Sequence, residues 1–303
     1  MTKRIHPEIA KGALTLEALR VFCAVVEESS FREAAQRLNR SQPAVSQQLK
    51  GLETKLGYAL LDRKSGRPTP AGEKLYQRAR SLLTEVDGLT RELADFDDTH
   101  VPVLRVGASD TTALYILPPV VKAFASAANK TRLELVSRPT EAIIDKVLRG
   151  NLDLALVTLP VADSALEVRE LLRQELALIT PAGHTLARKS SVTLEDLRET
   201  PLLLLDEHTR TGALLRTHFR VSGFEPRVVL DSGSFEVIKR YVSEGIGLAF
   251  LPRHSVTAAD RNLRSVYVDG LPTVPLGAVR RNGAFCSRAE TAFMNLLVKT
   301  VPN

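Results

Sequence analysis

The chain has 303 residues, which is long for one ordinary domain and suits two or three. With 44% hydrophobic and 25% charged residues, it has the composition of a folded globular protein, which excludes a collagen, a coiled-coil rod or a wholly disordered chain. Residues 1–80 carry 15 lysines and arginines against 8 acidic residues, whereas residues 81–303 carry 26 against 27. This excess of positive charge predicts a polyanionic partner for the N-terminal part, although a merely soluble surface would give the same balance.

Signals for export, membrane insertion and metal binding are missing from the sequence. No apolar run approaches about eighteen residues, and the N-terminus lacks the apolar core of a secretory signal, so we expect a cytoplasmic protein without a membrane span. The two cysteines, Cys23 and Cys286, form no CxxC pair, and we expect packed residues rather than sensors.

Three short helices are predicted near the N-terminus. Apolar residues at helical spacing mark a helix over 14–29 with Thr15 as its cap, and Ser30 caps a second helix that ends near Leu38. After a polar turn, a third helix runs from Gln42 to Leu56, with Ser41 as its cap. Its apolar stripe leaves a polar face suited to a DNA major groove, and the alternative is a solvated face on a small bundle. The predicted DNA contacts from this region are Arg40, Gln42, Ser46, Gln47 and Lys50.

Two further features follow the third helix. A basic hairpin with a Ser-Gly turn predicts a wing whose Arg63, Lys64 and Arg67 touch phosphates, with a plain loop as the alternative.

From residue 71 to about residue 97, apolar positions recur at alternating spacings of four and three, which predicts a coiled-coil helix and a two-fold dimer. Packing of this helix onto its own chain is the alternative. The predicted dimer contacts are Leu75, Leu82, Val86, Leu89 and Leu93.

Residues 31–53, FREAAQRLNRSQPAVSQQLKGLE, resemble the helix-turn-helix signature of the LysR family of bacterial transcriptional regulators. The resemblance covers residues 14–303 and implies that Gln42, Pro43, Ser46 and Gln47 lie at the DNA. Gln47 stands where the family often has Arg, which predicts a changed base preference. The wing looks about two residues short, with Pro68 where an apolar residue is usual.

The rest of the chain alternates short apolar runs with helical stretches and is predicted to be α/β. A faint repeat of strand, polar turn, helix, glycine and strand occurs at residues 135–156 and 229–251, with Gly150 and Gly245 as helix ends. The repeat predicts two lobes. Strands are expected at 103–107, 133–138, 152–158, 176–180, 202–205, 227–230 and 248–250, and helices at 113–127, 140–149, 211–222 and 235–243.

A ligand site is expected in the cleft between the two lobes. The Ser/Thr-rich start of a helix at residues 109–112 favours a small anion such as a carboxylate, a sulfate or a phosphorylated metabolite. The matching turns of the two halves and the segment after residue 205 supply the other candidates. The predicted effector contacts are Ser109, Thr111, Thr112, Thr140, Glu207, His208, Ser232 and Gly233.

The resemblance implies a fold of three parts. These are a winged helix-turn-helix at 1–70, a dimerising linker helix at 71–98, and an effector domain at 101–303 that is similar to periplasmic binding proteins. Its first lobe is expected at 101–171 and 266–303 and its second at 172–265. The resemblance also implies a dimer that pairs further into a tetramer. It would bind an imperfect inverted repeat in the DNA near a promoter. A bound effector would change DNA bending and the recruitment of RNA polymerase.

The sequence contains no recognisable catalytic signature. None of HxH, HExxH, GxSxG, a Walker loop or a GxGxxG unit is present, so we expect neither an enzyme nor a metal or cofactor site. Without a second cysteine near Cys286, a disulfide-switched peroxide sensor is not expected. Two alternatives to a regulator remain, a solute-binding protein with a dimerisation arm and an enzyme built on the two lobes. They would be distinguished by DNA binding and by turnover of a bound metabolite.

Overall fold

The computed structural model describes residues 14–62, 66–94, 101–127 and 130–300. They fall into two compact units, which divide between residues 96 and 97. Each unit has its own hydrophobic core.

The described residues of the N-terminal unit form four helices. Thr15, Ser30 and Ser41 each cap the helix that follows by accepting a backbone N–H on the side-chain oxygen, as the sequence predicted. The small residues Ala34 and Ala35 are buried where the second helix crosses its neighbours, around a core that includes Phe22. The helices are α1 (Leu16–Glu28), α2 (Phe31–Arg37), α3 (Gln42–Leu56) and α4 (Pro70–Ala94).

The C-terminal unit is a two-lobed α/β fold, as predicted. In each lobe three parallel strands are extended by antiparallel strands, and helices cover both faces of the sheet. The strands are β1 (Val103–Ala108), β2 (Arg132–Ser137), β3 (Leu154–Thr158), β4 (Leu166–Pro181), β5 (Ser191–Val192), β6 (Pro201–Leu205), β7 (Arg227–Ser232), β8 (Leu248–Pro252), β9 (Leu263–Val268) and β10 (Thr273–Arg281). The helices are α5 (Asp110–Tyr115), α6 (Leu117–Ala127), α7 (Thr140–Leu148), α8 (Arg210–Ser222), α9 (Phe235–Ser243) and α10 (Arg288–Thr300).

Strand β4 belongs to both lobes. Up to Glu175 it pairs with β10 in the first lobe, and from Leu176 it pairs with β8 in the second. The sheet order is β2-β1-β3-β10-β4-β8-β6-β7, and β9 also pairs with β4. The chain therefore passes between the lobes within β4 and again between β9 and β10. We expected the return near residue 266, but all of β9 lies in the second lobe, so the return follows Val268.

The internal repeat is confirmed. Both halves run strand, helix, glycine and strand, and Gly150 and Gly245 adopt φ values of +66° and +77° just past the end of their helices. The helix expected over 113–127 is interrupted at Ile116, because Pro118 and Pro119 lack the backbone N–H groups that would continue it.

Candidate functional site

Helix α3 presents one polar face to solvent. Its Val45, Leu49 and Leu52 are buried in the core. The opposite face is exposed to solvent, and Lys50 lies on it near the middle of the helix. The residues predicted to contact DNA from this helix are all exposed: Gln42, Pro43, Ser46, Gln47 and Lys50. This face can reach base edges and phosphates without any rearrangement of the core.

Arg40 precedes this helix and differs from the other candidates. One guanidinium nitrogen donates to Gln48 Oε1 at 2.8 Å, and another forms an ion pair with Glu17. The turn that carries Arg40 follows Asn39, whose φ of +52° reverses the chain between α2 and α3. Arg40 is exposed beside the polar face, but a phosphate would have to compete with Glu17 for it.

The segment after α3 is tied to that helix by a carboxylate. Glu53 Oε1 accepts the backbone N–H groups of Leu60 at 2.7 Å and Leu61 at 3.2 Å. Leu61 then bridges Pro68 in antiparallel fashion, which forms the base of the predicted hairpin. Arg67 lies in this hairpin, whereas Arg63 and Lys64 lie outside the described residues.

Helix α4 divides into a packed part and an exposed part. Leu75 and Ala79 pack against the core of their own unit, so the assignment of Leu75 to the dimer contacts is corrected. Further along, Val86 is half-buried, and the exposed fractions of Leu82, Leu89 and Leu93 are 50%, 60% and 71%. These leucines recur at spacings of seven and four, so they form one apolar stripe.

A buried ion cluster fixes the packed part of α4 to the other helices. Glu27 on α1 is nearly inaccessible and pairs with Arg37 at 2.6 Å and with Arg80 at 3.3 Å. The Tyr76 hydroxyl donates to the same carboxylate at 3.2 Å. The cluster therefore joins α1, α2 and α4, and loss of the Glu27 carboxylate would leave the largely buried Arg80 without this ion pair, whereas Arg37 would keep Glu28 at 3.0 Å.

The C-terminal unit holds a cavity of about 330 Å³ between its two lobes. Five of the predicted effector contacts line it: Ser109, Thr111, Thr140, His208 and Gly233. The other three do not. Thr112 is buried within its helix cap, where its hydroxyl lies 3.0 Å from that of Ser109, while Glu207 is exposed away from the cavity. The Ser232 hydroxyl accepts the N–H of Ser234 and thus belongs to the turn.

Several lining residues were not predicted. They follow the strands of both lobes, but single polar residues at strand ends carry no periodic signal, so the sequence did not distinguish them from ordinary loop residues. The residues missed are Asp110, Arg138, Pro139, Glu141, Thr158, Asp206, Thr209, Arg210, Thr211 and Phe235.

Two buried threonines, one from each lobe, line this cavity. Thr140 begins α7 in the first lobe, Thr211 lies in the first turn of α8 in the second, and each is only 7% exposed. Among the residues that the structure describes, neither hydroxyl has a hydrogen-bond partner. The N-cap of α7 is Pro139, which provides no side-chain cap, so the first N–H groups of this helix are also available to a ligand.

An arginine connects the lobes at the cavity. Arg210 of the second lobe donates from Nε to Glu141 Oε1 of the first lobe at 3.2 Å and from Nη1 to the Pro160 carbonyl. Two further lining carboxylates are also occupied, since Asp110 accepts the Ser137 hydroxyl and Asp206 accepts the His208 N–H. The acidic residues of the cavity are thus engaged by protein groups.

Within the described ranges, no group of three or more His, Cys, Asp or Glu residues could hold a metal ion. No helix in the part of the chain described by the structure is long and apolar enough to cross a membrane.

Two family models match the chain. The model "Bacterial regulatory helix-turn-helix protein, lysR family" matches residues 16–73, and the model "LysR substrate binding domain" matches residues 98–302. A "Probable hydrogen peroxide-inducible genes activator" from Streptomyces viridosporus is 31% identical over 277 residues, which cover 89% of each chain. The regulator CbbR from Xanthobacter flavus is 31% identical over 86% of this chain and 80% of its own.

Solved structures agree with the family models. Full-length OxyR from Pseudomonas aeruginosa has a TM-score of 0.72 at 25% identity and covers 95% of this chain and 94% of its own. Full-length BenM has a TM-score of 0.59 at 27% identity over 95% of this chain and 96% of its own. The chain therefore belongs to the LysR family of transcriptional regulators, which are not enzymes and which bind DNA and small-molecule effectors as oligomers.

Proposed function

We propose that this regulator binds an imperfect inverted repeat in promoter DNA as a cytoplasmic dimer that pairs further into a tetramer. The exposed polar face of α3 supports insertion of this helix into the major groove, with Gln42, Ser46 and Gln47 at base edges and Lys50 at phosphates. The apolar stripe of Leu82, Leu89 and Leu93 supports pairing of two α4 helices. A two-fold dimer presents two recognition helices, which matches a two-fold DNA site.

The effector is a small anion held between the lobes. The observation that carries this proposal is the pair of unpartnered hydroxyls of the buried residues Thr140 and Thr211, one from each lobe, together with the uncapped start of α7 in the first lobe. Hydroxyl and backbone N–H donors that line one cavity suit a carboxylate, sulfate or phosphate oxygen. Arg138 and Arg210 line the cavity together with three carboxylates, of which Glu141 is paired with Arg210, so the ligand is held by hydroxyl and N–H donors rather than by net positive charge.

Arg210 gives the effector a route to the rest of the molecule. An anion in the cavity competes with Glu141 for the Arg210 guanidinium, so binding replaces a contact between the lobes with a contact to the ligand. A ligand shifts a conformational equilibrium only through different affinities for its states. This exchange supplies such a difference, and the resulting change in lobe angle alters DNA bending and the recruitment of RNA polymerase.

A thermal-shift screen of the full-length protein against small carboxylates, sulfate and phosphorylated metabolites tests the effector proposal. A ligand well above its Kd should raise Tm by about 5 °C. The shift should disappear in Thr140→Val and in Thr211→Val and persist in Thr217→Val, an exposed threonine on the same helix as Thr211. An anion whose shift survives both cavity substitutions would contradict this assignment of the site.

A further inference from the structure

Tyr115, the last residue of α5, extends from the first lobe into the second. Its ring packs against the buried core of the second lobe, which includes Ile238 and Leu251. It also meets the imidazole of His254 edge-on, with the two ring centroids 6.1 Å apart. Tyr115 therefore belongs to the first lobe by its place in the chain and to the core of the second lobe by its packing.

The hydroxyl of Tyr115 completes the surroundings of a buried lysine on α9. The side chain of Lys239 is only 6% exposed. Its ammonium donates to the Tyr115 hydroxyl at 3.0 Å, to an Asp260 oxygen at 2.9 Å and to a Glu236 oxygen at 3.3 Å. A lysine ammonium has three donors, so these three acceptors satisfy it in full. Separation of the lobes at this point would leave one donor of a buried cation without its acceptor, which is costly.

The ion pair that joins the lobes across the cleft is much more exposed. Arg210 and Glu141, which pair at 3.2 Å, have side chains that are 27% and 65% exposed. Water can replace either partner of this cleft ion pair, whereas it has little access to Lys239. A relative movement of the lobes therefore breaks the cleft ion pair at a lower cost than the bond between Lys239 and Tyr115.

The position of Tyr115 also suits a contact that is kept when the lobes move. Tyr115 and residues 172–175 of β4 line the same cavity. Strand β4 passes from the first lobe to the second between Glu175 and Leu176. In a hinge movement, groups beside the connecting strand are displaced less than groups far from it. Tyr115 can therefore stay in place while the lobes turn.

We propose that Tyr115 is the pivot of the effector domain, and that its contact with Lys239 persists while the lobes rotate and the cleft ion pair opens and closes. Tyr115 is a positioning residue in this account, because it sets the axis about which the lobes move. Lys239 holds the pivot in the second lobe, and Asp260 fixes Lys239.

Both partners of the pivot lie one helical turn from the effector cleft. On α5, Tyr115 lies four residues after Thr111, which lines the cleft. On α9, Lys239 lies four residues after Phe235, which also lines it. An effector that displaces the start of either helix therefore turns the lobes about this contact. This connection to an effector rests on the proposed function of the cleft, whereas the pivot itself does not.

Distances between nitroxide spin labels on the two lobes of the full-length protein test the pivot. One label is attached to Cys286, which is exposed in the first lobe, and the other to Thr217→Cys on the exposed side of α8. A Cys23→Ala background leaves only these two thiols, and an excess of unlabelled chain restricts the measurement to pairs within one chain. We expect one narrow distance distribution. Tyr115→Ala should broaden it about two-fold or more, because the lobes lose their common contact.

Three further variants control for other causes of broadening. Tyr115→Phe keeps the ring in the core and should broaden the distribution less than Tyr115→Ala, and it remains informative if Tyr115→Ala fails to fold. Tyr241→Phe removes the hydroxyl of an exposed tyrosine on α9 and should leave the distribution unchanged. Arg210→Ala removes the cleft ion pair and should keep the distribution narrow, because the pivot is intact.

A fourth variant tests the role of the lysine. Tyr115→Phe should add no broadening in a Lys239→Met background, because the hydroxyl acts through the ammonium. Full additivity of these two substitutions overturns the assignment of the hydroxyl to Lys239. An unchanged width in both Tyr115 variants overturns the pivot, as does equal broadening in Arg210→Ala. Because no effector is present in these measurements, failure of the pivot and failure of the cleft proposal give different results.

Discussion

The two units of this regulator present their functional residues in opposite ways. The DNA-binding candidates of α3 come from one continuous helix, and the same 3.6-residue period that buries Val45 and Leu49 exposes the polar face. The effector cleft instead collects residues from five separate segments, at 109–111, 138–141, 158, 206–211 and 233–235. A surface made by one helix depends on local sequence, whereas a cleft made by two lobes depends on topology.

Both units have an arginine–carboxylate ion pair beside the candidate site. In each, an arginine beside the candidate site is held by a carboxylate of the protein, Arg40 by Glu17 and Arg210 by Glu141. An incoming phosphate or effector anion offers a replacement partner. Both ion pairs are partly exposed, so breaking either pair costs little free energy and the replacement contact with the anion need not be strong.

The largest contrast between the units is expected in thiol reactivity. Burial and the nearby Glu27 carboxylate raise the pKa of the Cys23 thiol from 9.0 to about 12, so its reactive thiolate falls about a thousand-fold at neutral pH. Partial burial also raises the pKa of Cys286, but this residue is exposed. Ellman's reagent should therefore titrate one thiol per native chain and two after denaturation. Rapid labelling of Cys23 in the native protein would contradict the packing of the N-terminal core.

A glycine substitution should separate the stabilities of the two units. A Cβ atom at Gly72 would lie 2.0 Å from the Leu60 carbonyl oxygen, so Gly72→Ala should destabilise the N-terminal unit by about 3 kcal/mol. Gly51→Ala is the control because a Cβ there meets no atom within 4 Å, and it should stabilise α3 by about 0.5–1 kcal/mol. Hydrogen exchange should accelerate in α3 for Gly72→Ala only. Equal acceleration in β8 would show that the units do not unfold separately.

Substitutions on α3 should change DNA recognition by smaller amounts. Gln42→Ala should cost about 1–3 kcal/mol on the preferred sequence and relax base preference. Lys50→Ala should weaken binding to every duplex and lower the salt dependence by about one phosphate contact. Lys130→Ala, an exposed lysine of the C-terminal unit, is the control for lost charge. Fluorescence anisotropy at several salt concentrations measures both effects, and a uniform loss for Gln42→Ala would contradict its role at base edges.

The sequence predicted most where the signal is local. The bounds of α3, the three serine and threonine caps and the two-lobed repeat follow from helical period, capping chemistry and glycine positions within short windows. The N-terminal part of β4 was missed because its exposed, charged residues around Arg169 hide the strand pattern. Strands β9 and β10 and helix α10 were not predicted either, although they complete both lobes.

The cleft could be predicted only in part for the same reason. Thr140 was identified because it opens the helix of the repeat. Thr211 was missed because, although it opens the helix predicted over 211–222, it lies outside the two repeated segments that directed attention to Thr140. Leu75 fits the apolar spacing of α4, but it packs against the N-terminal core of its own chain. Spacing alone does not tell which face of a long helix meets its own chain.

Selection of double-stranded DNA from a random pool by the full-length protein tests the central claim most directly. The account predicts enrichment of an inverted repeat with two half-sites, and altered preference at defined positions of each half-site when Gln42→Ala replaces the wild type. A pool that remains random, or identical sequences selected by the wild type and the variant, would contradict sequence recognition by the polar face of α3.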